Sequence, residues 1–99
     1  MAEYETLPSR EALLIDEVLV ALGHPVRLRV VRTLADGREL SCQEILPDMT
    51  KSSASHHWKV LRESGVIHQR REGRYLRTML RREDLDARFP GLLDAVVQG

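Results

Sequence analysis

The sequence predicts a mainly α-helical domain that carries one small β-hairpin. Four segments between Arg10 and Gly65 place apolar residues three and four positions apart, which is the spacing of one helix face. After Gly65 the pattern changes toward alternation, and Glu72-Gly73 supplies the tight turn of a hairpin. At 99 residues, of which 42% are apolar, the chain is expected to form a single domain, residues 1–99, around one modest core.

Two amphipathic helices are predicted in the first third of the chain. The first runs from Arg10 to Leu22. The second runs from Pro25 to Ala35 and begins with proline, whose missing N–H costs nothing in the first turn of a helix. His24 most simply caps this second helix. Its arginines are expected to point largely outward; they are Arg27, Arg29 and Arg32.

A short third helix, roughly Ser41 to Leu46, precedes a fourth that Thr50 can cap and Ser64-Gly65 can close. On one face of the fourth helix, Ala54, His57, Trp58 and Leu61 are expected to pack on the domain. The other face carries short hydroxyl and basic side chains, which are Lys51, Ser52, Ser55, His56, Lys59 and Arg62. This helix is therefore bound to the core by one half and presents a polar, cationic half to a partner.

Two strands, residues 66–71 and 74–80, complete the hairpin, and its arginines cluster near the tip: Arg70, Arg71, Arg74 and Arg77. A last amphipathic segment, about Arg82 to Val97, should be kinked or split at Pro90-Gly91. Three helices, a basic helix, a basic hairpin and a final helix (α-α-α-α-β-β-α) form the order of a winged helix-turn-helix. In that arrangement the second helix of the turn motif enters the DNA major groove.

The distribution of charge supports a nucleic-acid partner, although the net charge is zero. Residues 51–82 hold nine basic and two acidic side chains, whereas residues 1–23 and 83–99 are acidic. A strongly cationic segment is attracted to polyphosphate and releases counterions when it binds. A solvated surface is the alternative, but here the basic residues coincide with a helix and a hairpin.

Other classes of protein are disfavoured by composition and spacing. Ser55 and His56 are helix neighbours that diverge, so they do not form a catalytic pair, and we predict no enzyme. One cysteine excludes an intrachain disulfide, no apolar run is long enough for a membrane span, and the acidic start does not resemble a signal peptide. We expect a soluble, cytoplasmic protein.

Three phrases of the sequence resemble the ArsR-type (arsenic-repressor) family of bacterial transcriptional repressors. They are LGHPVRLRVVRTLADG, SASHHWKVLRESGVI and RREGRY, and the similarity extends from about Val18 to Leu80. The departures are mild: Trp58 replaces the usual Leu or Phe, and the turn before the recognition helix is about two residues short.

The resemblance implies a set of DNA-contacting residues. Base-edge and phosphate contacts are expected from the start and outer face of the fourth helix, at Lys51, Ser52, Ser53, Ser55 and His56. Backbone contacts are expected from Lys59, Arg62, Arg71 and Arg74. The chemistry agrees, because short hydroxyls approach base edges closely whereas Lys and Arg bind phosphates and guanines. Family members are homodimers built through the first and last helices, which here are the acidic amphipathic segments.

Both well-known metal-sensing motifs of the family are missing. Ser41 and Gln43 occupy the positions of the Cys-x-Cys ligands, Cys42 lies between them, and residues 82–99 contain no histidine. A lone thiol does not make a tight soft-metal site. We therefore predict no metal and no cofactor, and the effector is unknown.

The sequence thus favours a homodimeric transcriptional repressor that binds a palindromic operator in double-stranded DNA. Two alternatives stay open. One is a winged-helix module for protein–protein interaction, which would not need Lys51, Arg71 and Arg74 together. The other is a thiol- or metal-gated sensor regulator that uses Cys42, in which Cys42→Ser would change the effector response and leave resting DNA affinity unchanged.

Overall fold

The computed structural model describes residues 7–99. Its elements, in chain order, are a 3₁₀ turn Arg10–Ala12, α1 Ile15–Leu22, α2 Pro25–Thr33, β1 Leu40–Ser41, α3 Cys42–Ile45, α4 Lys51–Glu63, β2 Ile67–Glu72, β3 Tyr75–Leu80, α5 Arg82–Arg88 and α6 Leu92–Gln98. The acidic start of the chain, on which the expectation of no signal peptide rests, lies outside the described residues. The predicted winged helix-turn-helix is confirmed, with differences at the first helix and in the sheet.

The first difference is the start of the first helix. A 3₁₀ turn covers Arg10–Ala12, and α1 begins only at Ile15. The intervening Leu13 is fully buried. Its Cδ2 atom lies only 2.1 Å from the position that a Cβ on Gly65 would occupy. In a continuous helix Leu13 would lie about 140° from Val18, away from the buried stripe of α1. The chain therefore leaves the helix to bury Leu13, and the prediction of a helix from Arg10 was wrong.

Capping side chains fix the starts of the next three helices. His24 Nδ1 accepts a hydrogen bond from the Val26 N–H at 3.1 Å, as predicted for the cap of α2. Ser41 and Glu44 form a reciprocal capping box at α3. The Thr50 hydroxyl accepts from the Ser53 N–H at 3.1 Å, so α4 starts where predicted.

The second difference is in the sheet. The predicted hairpin is present, and β2 and β3 pair antiparallel around a turn at residues 73–74, one position later than expected. A third strand, β1, adds to the other edge of β3, with Leu40 opposite Thr78, giving the order β1-β3-β2. Two residues are too short to show a strand period, so this strand was not predicted.

The final segment is split at Pro90-Gly91, as the sequence predicts. Gly91 adopts a left-handed conformation with φ 86° between α5 and α6. Arg82 in α5 bonds to Asp94 in α6 and holds the two short helices together. The core joins all elements and contains Leu13, Val18, Val30, Val31, Leu34, Leu61, Val66, Ile67, Leu85 and Leu93. No helix within residues 7–99 is long and apolar enough to cross a membrane.

Candidate nucleic-acid interface

The two halves of α4 have the division predicted from the sequence. Ala54, Trp58 and Leu61 are buried against the core. All nine side chains predicted to contact DNA are exposed, seven on α4 and two on the hairpin: Lys51, Ser52, Ser53, Ser55, His56, Lys59, Arg62, Arg71 and Arg74. The helix therefore presents its hydroxyl and basic side chains to solvent.

The serines of α4 do not all have the same freedom. The Thr50 hydroxyl donates to Ser53 Oγ at 2.9 Å and lies 3.3 Å from Ser52 Oγ, so both serines belong to the capping turn. Ser55 and His56, one turn further along, make no side-chain hydrogen bond to the described residues. Their donors and acceptors are thus available to a base edge, whereas those of Ser52 and Ser53 are partly engaged in capping.

The basic side chains of residues 51–82 divide into two groups. Four arginines bond to carboxylates: Arg70 to Glu39, Arg77 to Glu44, Arg81 to Asp84, and Arg82 to Asp86. In the second group, Lys51, Lys59, Arg71 and Arg74 have no acidic side chain of residues 7–99 within ion-pair distance. Arg62, also without one, donates instead to Gln69 Oε1 at 3.1 Å. The second group and Arg62 together are the basic side chains that the sequence predicts to contact DNA.

One of these ion pairs, which is bidentate, joins Arg70 of β2 to Glu39, the residue before β1. The guanidinium donates two hydrogen bonds, from Nε at 2.9 Å and from Nη2 at 2.7 Å. This bidentate contact lowers the pKa of the Glu39 carboxyl below its usual value. The Arg70 side chain is therefore bound to Glu39, whereas the Arg71 side chain points to the opposite face of the sheet.

One arginine that we expected to point outward is buried. Arg27 donates from Nε to the Ala21 carbonyl at 2.7 Å and from Nη2 to the Val20 carbonyl at 3.3 Å. Its Nη1 lies 3.1 Å from His57 Nδ1. Because a guanidinium only donates, Nδ1 must accept and the His57 proton resides on Nε2. Arg27 thus joins the end of α1 to the buried side of α4, and the prediction that it faces outward was wrong.

The helical period contained a signal for this anchor. Arg27 precedes the buried Val30 and Val31 by three and four residues, which places it on the same face of α2. Charged side chains are rarely buried without partners, and the partners come from two other helices. Burial, with His24, Arg27 and His56 nearby, also lowers the pKa of His57, which agrees with a neutral, accepting ring.

A cleft with a volume of about 400 Å³ lies between α3, α4 and the hairpin, lined by residues from 42 to 62 and from 69 to 76; we call it the wing cleft. Cys42 lies half-buried beside it, with Sγ 3.5 Å from Gln69 Nε2. Burial raises the pKa of this thiol above its usual value. A sensor cysteine is usually a thiolate, so the protonation state weighs against the thiol-gated alternative.

Metal ligands are not gathered anywhere in residues 7–99: no cluster of three or more His, Cys, Asp or Glu side chains there is arranged to hold a metal ion. Glu44, next to the sensing motif position, is used in the capping box. Hydrogen bonds from the Ser41 backbone and side chain lower the pKa of the Glu44 carboxyl. The side chains exposed on α4 and at the hairpin tip carry hydroxyls, an imidazole and cations.

Comparisons with known proteins agree with this chemistry. The sequence profile of a helix-turn-helix domain matches residues 22–70. A curated relative, the uncharacterized HTH-type transcriptional regulator YceK of Bacillus subtilis, is 35% identical in an alignment of 83 residues that covers 81% of this chain and 83% of the relative.

Two crystal structures are similar over most of the chain. The transcriptional repressor BigR from Xylella fastidiosa has a TM-score of 0.66 at 31% identity, covering 85% of this chain and 83% of that protein. An ArsR family transcriptional regulator has a TM-score of 0.67 at 26% identity, covering 96% of this chain and 92% of its own.

The fold and the exposed face of α4 define a winged helix-turn-helix protein, a DNA-binding transcriptional regulator. The resemblance noted in the sequence is confirmed by these relatives. The chain belongs to the ArsR family of transcriptional regulators.

Proposed function

We propose that this chain is a homodimeric transcriptional repressor that acts in the cytoplasm on a roughly palindromic operator. The observation that carries the proposal is a set of cations without an acidic partner in residues 7–99: Lys51 and Lys59 on α4, and Arg71 and Arg74 on the hairpin. All four line the wing cleft, and so does the exposed Ser55 of α4. The repressor role is proposed by analogy with BigR, a transcriptional repressor that resembles the chain in sequence and fold.

The proposed contacts follow from side-chain chemistry. The start of α4 enters the major groove, where Ser55 and His56 reach base edges. Lys59, Arg71 and Arg74 bind phosphates, and these contacts set the register without reading sequence. Since the residues are grouped on one helix and one hairpin, the whole domain, residues 1–99, acts as a single DNA-binding unit.

The proposed dimer uses the apolar side chains that α1 leaves uncovered. Leu14, Ile15, Leu19 and Val20 are exposed, and Val20 has 68% of its surface open to solvent. The polar face of α4 carries the DNA contacts, so this apolar face is available for a second copy. A dimer places two copies of α4 in successive major grooves, about 34 Å apart.

Selection of bound sequences from a random duplex library tests the proposal directly. We expect an enriched inverted repeat and a steep fall of affinity with salt, because each phosphate contact releases counterions. An enriched single half-site would contradict the dimer, and a protein that enriches nothing would contradict operator recognition.

Variants of the α4 face test the assigned contacts. Ser55→Ala or His56→Ala should weaken operator binding by about 1–3 kcal/mol and leave binding to random DNA nearly unchanged. Ser9→Ala, an exposed serine outside the interface, is the matched control. Equal losses on operator and random DNA would show that Ser55 and His56 do not read bases.

Leu19→Glu tests the dimer. A carboxylate in a two-fold interface is buried twice and repels its own copy, so the variant should be a folded monomer. Light scattering gives the mass, and circular dichroism confirms that the helices remain. A Leu19→Glu protein that is still dimeric would contradict an interface through α1.

A further inference from the structure

The wing cleft has the dimensions and walls of a small-molecule site. Its volume of about 400 Å³ lies within the usual range for ligand pockets, roughly 300–1,000 Å³. Its apolar walls come from three elements: Leu46 and Met49 beside α3, Ala54 and Trp58 on α4, and Leu76 on β3. These side chains can surround a compact apolar group, and a methionine and a tryptophan adapt well to an aromatic one.

The charge of the cleft selects an anion. Lys51, Lys59, Arg62, Arg71 and Arg74 all line it, and no Asp or Glu does among residues 7–99. Cys42, which also lines it, is neutral because burial raises the pKa of its thiol. Every charged side chain that a carboxylate inside the cleft would meet is thus a cation. Beside apolar walls, where water is partly excluded, such an attraction is stronger than on an open surface.

One cation of the cleft is held in position. Arg62 Nη1 donates to Gln69 Oε1 at 3.1 Å, and Gln69 Nε2 donates in turn to Thr78 Oγ1 at 3.0 Å. Gln69 and Thr78 are both buried, so this chain of hydrogen bonds extends from the core of the sheet to the guanidinium. A positioned guanidinium binds a carboxylate at a smaller entropic cost than a freely rotating one.

We propose that the wing cleft binds a small aromatic carboxylate, with the ring against Trp58, Met49 and Leu76 and the carboxylate at Arg62, and that this ligand competes with DNA. The competition rests on the proposed function, because Lys51, Ser55 and Arg71 both line the cleft and belong to the proposed DNA contacts. A ligand that binds only the DNA-free protein lowers operator affinity in proportion to its occupancy.

Fluorescence of Trp58 reports binding, because it is the only tryptophan of the chain and lies in the cleft wall. The probe is 4-phenylbutyrate, which does not absorb at the red edge of the indole band; 4-phenylbutyramide is the matched neutral compound. We expect a saturable change of Trp58 emission with the carboxylate and at least about tenfold weaker binding of the amide. Equal responses to both compounds would overturn the anion site.

A pair of leucine variants locates the site. Leu76→Ala removes part of the apolar wall and should weaken 4-phenylbutyrate by about fivefold or more. Leu40→Ala is the control, because Leu40 is also half-buried and lies in the same sheet but does not line the cleft. Neither leucine is a proposed DNA contact. Equal affinities of the two variants for the probe would place binding elsewhere and overturn the proposal.

Competition is measured on the operator found by library selection. With 4-phenylbutyrate at ten times its own Kd, the apparent Kd for operator DNA should rise by about tenfold or more. If 4-phenylbutyrate changes the Trp58 emission but does not lower operator affinity, the proposal is overturned. It is also overturned if the protein binds the operator and its Trp58 emission does not respond to 4-phenylbutyrate. In both cases the repressor function stands. Failure to select any operator would instead be a failure of the proposed function.

Discussion

Replacing Arg27 by methionine tests whether this arginine is an internal anchor or a DNA contact. Methionine replaces the stem of the arginine as far as Nε with apolar atoms, and it removes the guanidinium that donates to Ala21, Val20 and His57. The Ala21 carbonyl and the His57 ring nitrogen then lose this donor, and the Val20 carbonyl keeps only the Gly23 N–H, in a site where Arg27 is only 8% exposed. The variant should therefore be less stable, although the side chains on α4 and the hairpin that are proposed to contact DNA are unchanged.

The magnitude follows from hydrogen bonding. A hydrogen bond from a charged group contributes about 1.5–3 kcal/mol, and a buried acceptor left unsatisfied costs about 1–3 kcal/mol. Since water replaces part of the loss, we expect Arg27→Met to lower the free energy of unfolding by about 3 kcal/mol. For a domain of this size that corresponds to a fall in Tm of about 12–24 °C.

Arg29→Met is the matched control, two residues away on the exposed side of α2. Arg29 forms a bidentate pair with Asp48, but both side chains are largely solvated. Such a pair contributes about 0–1 kcal/mol. Urea unfolding of both variants at equal protein concentration separates the two cases. Equal stabilities would refute the anchor, and a salt slope of DNA binding reduced by about one in Arg27→Met would show a phosphate contact instead.

Three further predictions concern charge, pH and the thiol. Arg74→Gln should reduce the salt slope of DNA binding by about one, whereas Arg70→Gln, whose guanidinium is already bonded to a carboxylate, should leave it unchanged in the same titration. The folded state lowers the pKa of His57, so the unfolded chain binds more protons and stability should fall as pH drops through about 6.5. Unfolding titrations across this range should show a flatter dependence for His57→Gln; an unchanged dependence would assign the effect to other groups. Cys42 should react with iodoacetamide more slowly in the folded protein than in urea, and Cys42→Ser should keep operator affinity; a faster folded-state reaction would restore the sensor alternative.

The sequence predicted those features of the fold that depend only on residues close together in the chain. The caps at His24 and Thr50, the apolar stripe of α4 and the alternation of the hairpin each need only a few neighbouring residues. The start of α1 was wrong because the burial of Leu13 beside Gly65 depends on a residue far along the chain. Strand β1 was missed for the same reason, since its two residues become a strand only through β3.

The candidate site shows the same limit in its charges. Counting residues identifies the cationic segment, but it cannot say which arginines are compensated. Arg70 is bonded to Glu39, 31 residues earlier, and Arg77 to Glu44, 33 residues earlier. These pairs exist because β1 lies at the edge of β3, an arrangement that no periodicity encodes.

The pairing has a consequence for how the surface works. The sheet side of the hairpin is neutralised, whereas the hydroxyl face of α4 and the hairpin tip keep Lys51, Lys59, Arg71 and Arg74 uncompensated by any acid of residues 7–99. At ordinary ionic strength, charges that lie farther away than about 10 Å are largely screened. A phosphate near α4 therefore responds to these four cations more than to the zero net charge of the chain. An electrically neutral protein can therefore present a cationic surface to DNA, because its fold places the compensating acids elsewhere.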